Sequence, residues 1–398
     1  MKLAQRVGRI QPSATLATAA RAKALVAQGI DVIDFGLGEP DFDTPEPIKD
    51  AAIAAIRAGF TKYTAPSGTD ELKQAIIRRL EADQGLRYQP NEIVVSCGAK
   101  HTLYNLAQAL FEQGDEVLIP APYWVSYPDQ VVLNDATPVI VPTQAEDGYT
   151  LDPRRLESAI TPRTKALILN SPSNPTGAGY ARAQLERIAE VALRHRLLVI
   201  SDEIYGQIVY DGFRHVSIAS LSPEMKALTV VVDGVSKTYA MTGWRIGWAA
   251  GPAALMTAVA NIQSQSTSNP ASISQKAAVA ALNGPRASID HMVAEFAARR
   301  NEMVRRFSAM PGVSCFQPQG AFYAFPDVSS CYGRRHNATA VTGSQSLATY
   351  LLEEARIAVV GGAAFGDDRC IRLSYATSVD HIRRGLDRMD AALAKLKK

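Results

Sequence analysis

The chain has 398 residues, enough for a large domain and a smaller one around separate cores. Its 47% apolar and 20% charged residues suit a soluble globular protein, and a net charge of +3 with both signs interspersed excludes a nucleic-acid stripe or a polybasic membrane patch. Cys97, Cys315, Cys331 and Cys370 form no C-x-x-C pair and the histidines no H-x-x-x-H, so neither a disulfide framework nor a metal site is expected. The first residues lack the apolar core of a signal peptide, and no run of 18 apolar residues occurs; the expectation is a reduced, cytoplasmic protein.

In chain order, an arm leads to an Ala-rich helix over 13–28, and a short strand at 32–35 runs into GLGEPDFDTP (36–45). Two glycines, two prolines and three acids make that segment an irregular loop. A helix follows over 47–58, then Tyr63 before a Gly-containing turn. From residue 90 onward strands are predicted at 92–97, 116–119, 138–141, 166–170, 198–202, 228–233 and 246–249, with helices at 100–111 and 182–194. This alternation predicts an α/β fold, an open and mostly parallel sheet covered on both faces, with functional groups beyond the carboxyl ends of its strands.

The motifs fall at those ends. Gly98 and Ala99 stand between a strand and a helix start, where unpaired backbone N–H groups form a ready anion site. Trp124 follows the second strand in PYW (122–124). NSPSNPTG (170–177) follows another and by composition reads as a turn. Asp202 and Tyr205 close the next in SDEIY (201–205). After the apolar run 228–232 comes GVSKTYAMTGWRIG (234–247), with Lys237 at the mouth of the sheet and Arg245 eight residues on. A lysine in apolar surroundings has its ammonium form disfavoured and becomes a usable nucleophile toward carbonyls. Near the C-terminus, IRLSYA (371–376) carries Arg372, whose planar fork matches a carboxylate.

Together these segments resemble the aspartate aminotransferase family, the class I pyridoxal-phosphate aminotransferases, from about residue 10 to the C-terminus. The resemblance implies fold type I of the pyridoxal-phosphate transferases, a seven-stranded large domain plus a smaller α+β domain. It implies that Lys237 holds pyridoxal phosphate as a Schiff base and moves the proton, and that Asp202 keeps the pyridine nitrogen protonated so that the ring acts as an electron sink. Asn174 and Tyr205 would donate to the phenolic oxygen, lowering the proton affinity of the Schiff base. Trp124 would stack on the pyridine; Arg245, Ser236, Gly98 and Ala99 would hold the phosphate. Tyr63 would reach the phosphate of a neighbouring subunit, making the protein a homodimer with shared sites. For the substrate, the resemblance implies that Arg372 anchors the α-carboxylate and that the Gly38 backbone lies close to it.

PSAT (12–15), GAK (98–100) and SQSTSNP (264–270) resemble the branch in which a lysine receives the distal carboxylate. That role falls to Lys100 with Thr15 nearby, and some members of the branch also accept prephenate. Three positions depart from the commonest pattern: Gly234 where many members have a phosphate-binding serine or threonine, Gly361 where proline is usual, and His101 in place of glutamine. The domain expectation is 1–44 as an arm and part of the small domain, 45–285 as the large cofactor-binding domain, and 286–398 as the small one. The implied reaction is ping-pong amino transfer from L-aspartate to 2-oxoglutarate. Two alternatives stay open: a β-lyase, cyclase or tailoring enzyme of the same fold, and a non-catalytic module of the kind found in certain transcription regulators.

Overall fold

A computed structural model describes residues 1–398 apart from Gln11 and Ser13. The predicted start of the first helix at residue 13 lies outside the described residues. From the N-terminus come α1 (Ala14–Ala27), β1 (Ile33–Asp34), α2 (Glu46–Arg57), α3 (Asp70–Gln84), β2 (Ile93–Ser96) and α4 (Ala99–Leu110). Then follow β3 (Glu116–Ala121), α5 (Ser126–Val132), β4 (Thr137–Pro142), α6 (Pro153–Ala159), β5 (Thr164–Asn170), α7 (Arg182–His195) and β6 (Leu198–Asp202). Next are α8 (Pro223–Ala227), β7 (Thr229–Gly234), β8 (Gly247–Ala250), α9 (Ala253–Ser264), α10 (Ser272–Asn283) and α11 (Ala287–Ala309). The chain closes with β9 (Tyr323–Ala324), β10 (Arg335–His336), β11 (Thr339–Ala340), α12 (Ser344–Tyr350), β12 (Ile357–Ala358), β13 (Val360–Gly361), β14 (Ile371–Ser374) and α13 (Val379–Ala394).

Seven strands form one sheet in the order β2-β8-β7-β6-β5-β3-β4, parallel except for β8, which runs against both its neighbours. The central strands are apolar on both faces because helices cover both. Successive side chains point to opposite sides. Ile93, Val95 and Val231 pack with Ile48, Leu72, Ile76 and Ala277 of α2, α3 and α10. Val94, Val230 and Val232 pack with Leu103 and Leu106 of α4. Local signals fix where helices begin and end. Thr69 caps α3 through the Leu72 N–H, Gly85 ends it in the left-handed conformation, and Ser378 caps α13 through the His381 N–H.

Register brings the strand ends into line. Asp202 is opposite Asn170 on one side and Val232 on the other. Because β8 is antiparallel, its first residue Gly247 lies level with the last residues Gly234 of β7 and Ser96 of β2. The segments after β2, β6 and β7 and the segment before β8 therefore meet at one edge.

A second core joins the two ends of the chain. β1 pairs in parallel with β12, and the Ser374 N–H donates to the Phe35 carbonyl. Phe35 is fully buried with Phe296, Phe322, Leu373 and Leu386, a burial that contributes about 2–3 kcal/mol. It fits only because residue 385 is glycine, where a Cβ would stand 2.4 Å from the Phe35 ring. No described helix is long and apolar enough to cross a membrane.

Candidate active site

At the shared strand edge lies a cavity of about 400 Å³, into which Lys237, Asp202, Tyr205, Asn174, Trp124 and Arg372 all open. Lys237 sits three residues past β7, and its Nζ donates to the Gly38 carbonyl at 2.6 Å. Burial pushes its amine down to about 8, with Arg245 and Arg372 acting in the same direction against Glu39 and Asp202. Asp202, at the end of β6, is 4% exposed. Its Oδ2 accepts from the Tyr127 hydroxyl at 2.6 Å and its Oδ1 from the Ile204 N–H at 3.3 Å. Burial raises its carboxyl to about 6 despite those donors.

Arg372 comes from β14 on the opposite wall and is 1% exposed. Its Nη2 donates to the Gly36 carbonyl at 2.7 Å and its Nη1 to Asn174 Oδ1 at 3.1 Å, while its Nε has no partner. The guanidinium lies 4.6 Å from the Tyr323 ring centroid and 5.0 Å from that of Phe365. Among the described residues no carboxylate forms an ion pair with it, Asp34 acting only at a distance, so a buried cation faces the cavity from between two aromatic rings. The loop 36–38 is thus held by two cations, Arg372 on Gly36 and Lys237 on Gly38. Asn174 is positioned by its own backbone, whose N–H donates to Asn170 Oδ1 at 2.9 Å. With its Oδ1 taken by Arg372, its amide nitrogen is the group left to donate.

The phosphate-type corner is built from bare backbone. Gly98 precedes α4 with φ +87° and no side chain caps the helix. A Cβ there would stand 2.4 Å from Arg245 Nη2, so glycine lets the guanidinium lie against the helix start. Among the described residues Arg245 donates to two carbonyls, Thr242 O at 2.8 Å and Cys97 O at 3.3 Å, and forms no ion pair with a carboxylate. Ala99 and Ser236 complete this end of the lining. Gly234 follows from packing, since a Cβ would approach the Ile246 carbonyl to 2.9 Å. His101 takes the Cys97 N–H on its Nδ1 at 3.2 Å, bracing the turn before the helix.

Toward the open mouth, Lys100 Nζ lies 4.9 Å from the Trp124 ring centroid, and Thr15 of α1 lines the same side. Burial and Arg245 hold the Lys100 amine below its usual range. Tyr63 is not among these residues. It is 91% exposed, away from its own chain's cavity. Tyr127 and Tyr323 carry no signal in the sequence that marks them for this site. Tyr127 stands three residues after Trp124 and reads as a helix-start aromatic; Tyr323, in GAFYAF (320–325), reads as core.

The sequence pattern described as aminotransferase class I and II matches residues 30–389. This chain belongs to the class I and II aminotransferases. An aspartate aminotransferase of Geobacillus stearothermophilus is 50% identical over 392 residues, 98% of each chain. An aspartate/prephenate aminotransferase of Nitrosomonas europaea is 47% identical, covering 99% of this chain and all of its own. The crystal structure of the Rhizobium meliloti aspartate aminotransferase superposes with a TM-score of 0.96 at 46% identity over 100% of both chains. That of Thermus thermophilus with maleate gives 0.93 at 40% identity over 98% of this chain and 100% of its own.

Aminotransferases of this family depend on pyridoxal phosphate, and the residues present fit that group. An uncapped helix start and an uncompensated Arg245 suit a phosphate. A buried carboxylate at the end of β6 suits a ring nitrogen that must stay protonated, and a depressed amine suits a Schiff base. The seven-stranded, mostly parallel sheet expected from the sequence is the one observed.

Proposed function

We propose that this aminotransferase moves the amino group of L-aspartate to 2-oxoglutarate. The observation that carries the proposal is the buried, uncompensated Arg372 with its free Nε, placed across one cavity from Lys237, with Lys100 at the mouth. Arg372 pairs with the α-carboxylate, and Lys100 swings from Trp124 to the distal carboxylate, with Thr15 beside it. When bound, pyridoxal phosphate supplies a conjugated ring that takes up the electron pair left as the α-C–H bond breaks. Lys237 holds the proton in transit, taking it from the α-carbon with its neutral amine and returning it across the transferred nitrogen. Asp202 keeps the ring nitrogen protonated; Asn174 and Tyr205 donate to the phenolic oxygen; Trp124 covers the ring. Arg245, Ser236, Gly98 and Ala99 grip the phosphate, and the Gly38 backbone borders the substrate.

Tyr63, together with Ile53 and Ile56 at 43% and 52% exposure, supports a homodimer in which the partner's Tyr63 reaches this chain's phosphate corner. Four free cysteines fit a cytoplasmic setting. A second acceptor, prephenate, is favoured by the relative named for both activities and by a lysine free to retreat onto Trp124.

The test is the visible absorbance of the purified protein before and after L-aspartate alone. Conversion of the yellow band to the shorter-wavelength amine form supports the reading; a band that aspartate leaves unchanged overturns aspartate as donor. Two further results are expected. Recombination of cofactor-free protein with pyridoxal phosphate needs the neutral Lys237 amine. Its rate therefore rises with pH and levels off above about 8, as stopped-flow absorbance would show; a flat profile between pH 6 and 9 contradicts it. In Lys100→Ala, the kcat/KM ratio for aspartate over phenylalanine falls roughly fivefold, because an ion pair at a half-open mouth is worth about 1 kcal/mol. An equal loss for both substrates would remove Lys100 from side-chain recognition.

A further inference from the structure

We propose that Tyr323 is a positioning residue that sets the direction of the Tyr205 hydroxyl proton, turning it toward an acceptor inside the cavity. This rests on the reading that Tyr205 donates to the phenolic oxygen of the cofactor. The two hydroxyls are buried and 2.9 Å apart. Each phenol has one proton, so the bond between them uses one and leaves one. If Tyr205 donated to Tyr323, it would present only lone pairs to the cavity and could not donate to the phenolic oxygen. Tyr323 lines the same cavity beside Gly38, where a Cβ would lie 3.1 Å from its hydroxyl. Among the described residues Tyr205 is the one hydrogen-bond partner of the Tyr323 hydroxyl. With Tyr323 as donor, both protons are used, and the Tyr205 proton faces the cavity.

Burial raises both phenols, so each keeps its one proton near neutral pH. Arg372 lies over the Tyr323 ring, and Glu39 is the nearby acid on the Gly38 side; Asp202 and Arg372 face Tyr205. The Tyr205 ring is wedged edge-on against Phe322 and Tyr323, with centroids 5.5 and 5.8 Å away, so its hydroxyl has little freedom to seek another partner. Tyr323 lies on β9, whose Tyr323 is paired with Ser374 of the strand that carries Arg372. One short sheet therefore presents both the carboxylate anchor and the group that orients the phenol.

A phenol that itself accepts a hydrogen bond is a stronger donor. Removing the Tyr323 hydroxyl should weaken the Tyr205 donation, leave the phenolic oxygen less stabilised, and raise the proton affinity of the nitrogen beside it. The experiment titrates the visible band of the cofactor-loaded protein with pH in four forms: unaltered, Tyr323→Phe, Tyr205→Phe and the double variant. Phenylalanine keeps both rings, and the near-ultraviolet circular dichroism checks the packing. The expected result is a midpoint raised by roughly 0.5 pH unit in Tyr323→Phe, a fraction of the Tyr205→Phe rise because the donor is one bond removed. The double variant should match Tyr205→Phe alone, since Tyr323 acts only through Tyr205. An unmoved midpoint in Tyr323→Phe, or additive shifts, would overturn the inference while leaving Tyr205 in place. An unmoved midpoint in Tyr205→Phe would remove the reading beneath it as well. Weaker binding of maleate in Tyr323→Phe with no change in midpoint would assign the hydroxyl to substrate instead, and also overturns it.

Discussion

Lys237→Ala is expected to lower aspartate transamination by at least about 10⁴-fold, since one side chain supplies both the covalent link and the proton transfer. Its Nζ stands alone in that role: Arg245 and Arg372 are guanidiniums that do not give up a proton near neutral pH, and Lys100, the other lysine of the lining, stands over Trp124 at the mouth. The anion corner does not involve Lys237, because Arg245, Gly98 and Ala99 remain. The variant should therefore still take up pyridoxal phosphate, but borohydride should fix none of it to the chain. Retained turnover, or cofactor fixed by reduction at another lysine, would move the catalytic amine elsewhere.

Arg372→Lys is expected to lower kcat/KM for aspartate by roughly 10³-fold, in line with the 2–5 kcal/mol that follows truncation of one partner in a buried charge pair. The loss exceeds that of an ordinary Arg-to-Lys change for a geometric reason. Arg372 spends Nη1 on Asn174 and Nη2 on Gly36 while its Nε stays free. A lysine cannot hold two fixed partners and still present a planar face to a carboxylate. Part of the loss should appear as freedom of the 36–38 loop, so KM should rise for every amino donor, dicarboxylic or not. A KM change confined to aspartate would place the α-carboxylate on another group.

The sheet was legible because its strands are short apolar runs bounded by turn residues, and the runs at 166–170 and 198–202 match β5 and β6 closely. The ends moved by a residue or two where a cap decides them. Gly98 at φ +87° starts α4 at Ala99 rather than Lys100. Motifs on single loops were equally legible as a cluster, since Lys237, Asp202 and Arg372 are each marked by consecutive residues and meet at one cavity. What escaped were groups whose meaning lies in a distant partner. Tyr127 matters through Asp202, 75 residues away, and Tyr323 through Tyr205, 118 residues away. Neither has any local mark that separates it from a packed aromatic. Glu39 is visible within its loop, yet its bond to Thr242 and its pull on Lys237 depend on how that loop docks.

The pairing of β1 with β12 and the contact of Phe35 with Ser374 have a consequence for synthesis on the ribosome. Strands β2 to β8 and their covering helices emerge as one continuous stretch and can pack as they appear. Strand β1 and Phe35 have no such neighbour. Their backbone partners, β12 and Ser374, lie beyond residue 350, so Ile33 and Phe35 must wait, apolar side chains in water, until that part of the chain has been made. The β1 segment should therefore stay open to proteases on nascent chains, and the cavity should acquire its Arg372 wall last.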